Sequence, residues 1–202
     1  MRTATRLRPR TKAPEERRDE LMNAAQRLFL EQGVATTTIE QITIGADVAK
    51  GTFYLHFSSK EDLLAALRDR FAGALLSNVQ TAVERQPQGE WRTKLASWAS
   101  ACVAGYLDSI RLHDAVFFES RPPTRKGLVD NRVIDDLAAL LQAGATAQAW
   151  SIDDPRFVAA FLFSGLHSAV DYAYMKEKRV NRSRLARKVE ALFFRAAGLT
   201  PE

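Results

Sequence analysis

Cysteine is nearly absent: Cys102 is the only one in 202 residues. A single thiol excludes an internal disulfide framework and a cysteine-based zinc site, and it suits a reducing compartment, so the cytoplasm is the expected location. Histidine is scarce too, with His56, His113 and His167 spread across the chain. They offer no convergent cluster, so no metal or cofactor is expected and a helical enzyme is the least favoured class. The first twenty residues lack an apolar run and contain two acidic pairs, which argues against a secretory signal or a transit peptide. The longest mainly apolar stretch, Phe157 to Met175, contains His167, Asp171 and small polar residues, so it reads as a buried helix and no membrane is expected. Strand-length alternation of apolar and polar residues is missing as well, which favours an all-α fold.

Positive charge is present, but unevenly. The formal net charge is +5 with a pI near 9.6, which invites a polyanion as partner. Residues 1–18 carry seven basic groups against Glu15 and Glu16, and the rest of the chain is neutral. Residues 1–16, with their Arg, Pro and Thr, read as a disordered basic arm.

Order is expected from Arg17, where Leu21, Ala24, Ala25, Leu28 and Phe29 recur at helical spacing and Gly33 stands where a left-handed cap belongs. Thr37 precedes Glu40 by three residues, a capping-box spacing that opens a short helix bearing Ile39, Ile42 and Thr43. Gly45, Ala46 and Asp47 form a turn, and Val48 to Tyr54 re-enters a helix. Ser58 or Ser59 then caps a long helix through Leu63, Leu67, Phe71 and Leu75. Further helices are predicted over residues 90–110, 113–120, 128–149, 155–177 and 182–197, with Pro155 at a first helical position after Asp154. Residues 121–127, rich in proline and glycine, form a loop.

Two short helices around a tight turn suit DNA reading. Ala49, Lys50, Gly51 and Thr52 are small or cationic residues at the start of the second one, where backbone must approach base edges. Lys50 can donate to guanine, and Thr52 can meet a base or a thymine methyl. Thr37 and Thr38 offer hydroxyls and free amides to a phosphate. The run QITIGADVAKGTFYLHFSSKEDLL, from Gln41 to Leu64, resembles the TetR family of transcriptional regulators, and the likeness extends over residues 17–67. The resemblance implies an N-terminal three-helix bundle with a helix-turn-helix over residues 17–65 and a larger helical dimerisation and ligand-binding domain over residues 66–202. It places Tyr54 and His56 at phosphates and Lys60 at the start of the following helix, among the DNA-binding set. Tyr54 could equally be a structural aromatic, and Phe53 and Phe57 read as core. Asp47 departs from the family, which usually has glycine in this turn. Residues 19–65 hold three basic groups and seven acidic ones, so the arm is expected to supply affinity along phosphates or in a minor groove, unless it is only a solubilising tail.

The stretch from Pro155 to Glu177 is apolar nearly all round and the last helix is amphipathic, as the two-helix half of a four-helix dimer interface would be. The family implies that homodimer, and its two-fold symmetry implies a pseudo-palindromic double-stranded operator. It also implies an inducer pocket for a small, largely apolar effector. Candidate lining residues are Trp98, Cys102, Tyr106, His113, Phe117, Phe118, Trp150, His167, Asp171 and Tyr174, each of which could instead be plain core. His167 and Asp171, four apart, read as a hydrogen-bonded pair before a metal site. Repression is the family's usual mode, and a regulator without an inducer is the alternative.

Overall fold

Proline opens the first helix. In the computed structural model, which describes residues 13–117 and 130–200, the first helix, α1, runs from Pro14 to Gln32 and not from Arg17. Pro14 has the right fixed backbone angle for a first turn, and Glu15 and Glu16 face the positive end of the helix dipole, so the arm's last residues are helical. The arm up to Lys12, Phe118 and the loop over 121–127 lie outside the described residues.

All nine helices among the described residues are α-helices, and none of these residues forms a strand. After α1 come α2 (Ile39–Gly45), α3 (Lys50–His56) and α4 (Lys60–Glu84), then α5 (Trp91–Asp108), α6 (Ile110–Phe117), α7 (Arg132–Thr146), α8 (Pro155–Lys176) and α9 (Arg182–Ala196). The chain divides into two units, residues 1–67 and 68–202, so the division falls within α4. No described helix is long and apolar enough to cross a membrane.

Three local expectations change. Gly33 does take a positive φ of 86°, but its ψ of 160° is extended, a region open essentially to glycine alone, and not the left-handed helical cap predicted. The capping box forms one residue later than predicted. Thr38 Oγ1 accepts from the Gln41 amide at 3.2 Å while Gln41 Oε1 accepts from the Thr38 amide at 2.9 Å. Thr37 is unavailable because it is buried and its hydroxyl donates to the Gly33 carbonyl at 2.7 Å. The third helix begins at Lys50, after an extended Ala49, because Val48 is still in the turn, its amide donating to the Thr43 carbonyl.

In the second unit α9 lies along α5, and α7 along α8. Side-chain caps define the starts: Asn131 accepts from the Val133 amide, Asp154 from Phe157 and Asn181 from Arg184. The predicted single helix over 90–110 ends at Asp108, and α6 restarts at Ile110. Trp98 anchors one layer of this core, fully buried, stacked on Phe193 and donating its indole N–H to Asp136 at 2.9 Å. Trp150 closes another. Its indole donates to the Leu141 carbonyl at 2.7 Å and its ring lies against Gly144.

Candidate nucleic-acid interface

Buried Leu21, Phe29, Ile42, Phe53, Phe57 and Leu63 hold α1, α2, α3 and the first turns of α4 together. Two long cations brace the ends. Arg27 Nη2 donates to the Gly45 carbonyl at 3.1 Å, at the finish of α2. Lys60 Nζ donates to the carbonyls of Val34 and Thr37, at 2.7 and 2.9 Å. Lys60 is therefore half-buried in the junction that presents α2, with two of its three protons already used, and it does not stand free toward a phosphate as the sequence suggests. At the start of α4, Ser59 Oγ accepts from the Asp62 amide while Asp62 accepts from the Ser58 amide, so Ser59 is the cap of the two serines the sequence offered.

Asp47 occupies the turn with φ 52°, one of two non-glycine residues among those described with a positive φ. Aspartate tolerates this conformation, which is why the turn survives without glycine. From it α3 emerges with Phe53 and Phe57 inward and Ala49, Lys50, Gly51 and Tyr54 exposed. Thr52 and His56 are half-buried on the flanks, and Thr38 is exposed at the start of α2. Tyr54 packs edge-on against Phe53, with ring centroids 5.4 Å apart, and still leaves 54% of its surface open. It thus serves the core with one edge and offers its other end outward. Thr37, by contrast, is spent inside the fold. A cation count matters here: of three basic residues in 19–65, Arg27 and Lys60 hold carbonyls, and Lys50 remains exposed on α3.

Leu55 was not among the expected residues. It is 82% exposed on the outer side of α3. A leucine inside a helix reads as core, and only its angle relative to Phe53 and Phe57 reveals the opposite.

Residues 21–67 match the family described as bacterial regulatory proteins, tetR family. Residues 21–67 therefore carry the tetR-family N-terminal module. It is 37% identical over 92 residues to the transcriptional regulator TcmR of Streptomyces glaucescens, a match covering 44% of this chain and 37% of TcmR. The chain spans less than half the length of the curated relatives it matches, all named as transcriptional regulators. Across almost the whole chain the fold is shared with the fatty acid degradation regulator FadR from Bacillus halodurans, at TM-score 0.72 and 22% identity, covering 96% of this chain and 100% of that one. It is shared also with RolR in complex with resorcinol, at TM-score 0.68 and 21% identity, covering 94% and 91%.

Within the second unit, five of the ten expected pocket residues come together. Tyr106 on α5 donates its hydroxyl to Asp171 on α8 at 2.8 Å. Its ring lies 4.4 Å from His113 and 4.6 Å from His167, and Phe117 stacks on His113 at 4.8 Å. Phe71 and Phe163, absent from the expected set, complete the aromatic group, 5.7 Å from His113 and 4.3 Å from His167. Cys102 is buried one turn earlier on α5, where burial pushes its thiol up to about 12. Trp98 and Trp150 belong to the core layers described above, and Tyr174 is 43% exposed near the end of α8, beside an open groove. Sequence shows which residues are aromatic, but not which layer each one reaches. His167 and Asp171 each meet Tyr106, His167 by its ring and Asp171 by its carboxylate, and the hydrogen bonds of the two go to the Phe163 carbonyl and to Tyr106 rather than to one another as expected.

Burial holds His113 down to about 3, with His167 adding to the effect, and burial lowers His167 as well. The Nδ1 of His167 lies 3.1 Å from the Phe163 carbonyl, which can only accept, so that nitrogen carries the proton of a neutral ring. Both imidazoles are neutral in the folded protein at pH 7, whereas the unfolded chain takes up protons below about pH 6.5. Stability is therefore full above pH 6.5 and falls as the pH drops toward 3, for His113 by up to about tenfold in the folding equilibrium per unit. Urea unfolding of the parent and of His113→Phe at pH 7, 6 and 5 should show a shallower acid dependence in the variant. Equal slopes would mean that His113 is charged when folded.

Proposed function

We propose that this protein is a dimeric, DNA-binding transcriptional repressor, released from a pseudo-palindromic operator by a small, largely apolar ligand. The observation that carries the reading is the outer face of α3, where Ala49, Lys50, Gly51 and Tyr54 stand exposed on a helix whose other side is locked by Phe53 and Phe57. Bases would be read by Lys50 and Thr52 and phosphates held by Thr38, Tyr54 and His56, while the basic arm supplies affinity that an otherwise acidic module lacks.

Dimerisation is supported by α8, which leaves Phe157, Phe161, Tyr172 and Met175 between 65% and 84% exposed at helical spacing, with Leu192 of α9 at 54%. Large apolar side chains aligned on one face are not left to water in a stable monomer, and a second copy covers them symmetrically. Two-fold symmetry then presents two copies of α3 to successive major grooves, about 34 Å apart.

The aromatic cluster around Tyr106, His113 and His167 supports a ligand site, and resorcinol in RolR shows that a protein of this fold takes a small aromatic. A ligand acts by binding better to the dimer whose α3 helices are misplaced for the operator, with α4 carrying the change because its residues belong to both units. Selection of DNA from a random pool by the full-length protein, combined with sedimentation equilibrium, tests the reading. Enriched inverted repeats and a dimer at micromolar concentration are expected. No enrichment, or a monomer, would overturn it.

A further inference from the structure

Leu55 is the aliphatic side chain of α3 that packing leaves open, and its angular position is informative. Successive helical residues are about 100° apart, so buried Phe53 and Phe57 define an inward direction and Leu55 falls about 180° from it. Gly51, one turn earlier, lies about 40° from Leu55 on the same outward line. A Cβ built on Gly51 would meet nothing within 4 Å, so no internal neighbour requires glycine there. Glycine instead strips the helix surface to backbone just where Leu55 projects beyond it. The outermost ridge of the helix is thus bare backbone followed by an isobutyl group, flanked by Thr52, Tyr54 and His56.

An isobutyl group can neither donate nor accept a hydrogen bond. Among the groups lining a major groove, the thymine C5-methyl is the apolar one it can match. Resting on the DNA-binding reading above, we infer that Leu55 is a specificity-determining residue that contacts a thymine methyl in each operator half-site. Gly51 lets the backbone come close enough for a side chain of this length to reach the base. Tyr54 and His56 hold the helix by its polar flanks while Leu55 excludes water from the methyl. Cytosine, which offers an amine and no methyl at this edge, is rejected because its donor would face a group that cannot accept.

The test uses the full-length protein and the sequence it selects from a random pool. Each thymine is replaced by deoxyuridine symmetrically in both half-sites, which removes the methyl and nothing else. Burying one methyl is worth about fourfold in affinity, so a symmetric change at the contacted position should weaken the parent protein by about fifteenfold. The Leu55→Ala variant should bind the thymine and uracil duplexes within about twofold of one another. It will fold, because Leu55 is exposed and alanine is a better helix former. Absence of any uracil-sensitive position, or a sensitivity that persists unchanged in Leu55→Ala, overturns the inference while leaving DNA binding intact. Failure to enrich any sequence overturns the DNA-binding reading itself, and the inference with it.

Discussion

In the dimer proposed above, Phe161→Glu is expected to leave a monomer at micromolar concentration and to weaken operator binding by at least about a hundredfold. Phe161 lies near the middle of the exposed apolar face of α8 and is itself 69% exposed, so the substitution takes little from the fold of one protomer. The proposed two-fold symmetry would place the change twice in the interface. Each copy loses about 1.5–3 kcal/mol of aromatic burial and adds a carboxylate that must be desolvated or left unpaired. Together these shift the dimer constant by three or more powers of ten. The DNA effect follows from valency. One recognition helix bound to its half-site raises the local concentration of the second, and a monomer loses that gain. Sedimentation equilibrium and a binding titration at fixed salt measure both effects, and a thermal melt like that of the parent shows that the protomer is intact. A variant that remains dimeric would place the interface elsewhere.

Gly144→Ala is expected to destabilise the second unit by about 3 kcal/mol, a fall of roughly 6–12 °C in melting temperature. The sign is informative, because Gly144 sits inside α7 and helix propensity alone would make alanine about 1 kcal/mol more favourable. A Cβ there would lie 2.0 Å from Cζ2 of Trp150 and 2.3 Å from Cε2. Trp150 has little room to yield: it is buried, its indole N–H donates to the Leu141 carbonyl, and its ring meets Trp91 edge to face at 6.4 Å. Overpacking against a ring pinned on several sides therefore outweighs propensity. Trp150→Ala is costly on its own, but in that background Gly144→Ala should lose its penalty or become stabilising, which a double-mutant cycle measures. A rise in melting temperature for Gly144→Ala in the parent would show that the indole can move.

Legibility in the sequence differed from one feature to the next. Helix starts at Pro155, Asp154 and Ser59 were readable because capping and proline act within a few residues. The capping box was ambiguous by one residue, since Thr37 with Glu40 and Thr38 with Gln41 have the same spacing. Burial of Thr37 against Gly33 chose between them. Lys60 was legible as part of the motif, but its two carbonyl partners lie 26 and 23 residues away in sequence. The aromatic cluster was half legible. Tyr106, His113 and His167 are marked by type, whereas Phe71 and Phe163 resemble every other core phenylalanine until α4, α5, α6 and α8 meet.

By itself the sequence pointed to an all-helical class, to a basic arm ahead of an acidic helix-turn-helix, and to the motif whose residues are proposed to face DNA. These follow from periodicity, composition and short-range spacing, which act along the chain. Only the tertiary structure decided which cations are consumed, which rings surround His113, and which apolar side chains remain outside. Leu55 and Phe161 have the same chemistry as Leu63 and Phe163, and what separates them is the set of neighbours each helix face meets. Burial depends on contacts between segments distant in sequence, so the surfaces that function uses appear only once those segments have packed.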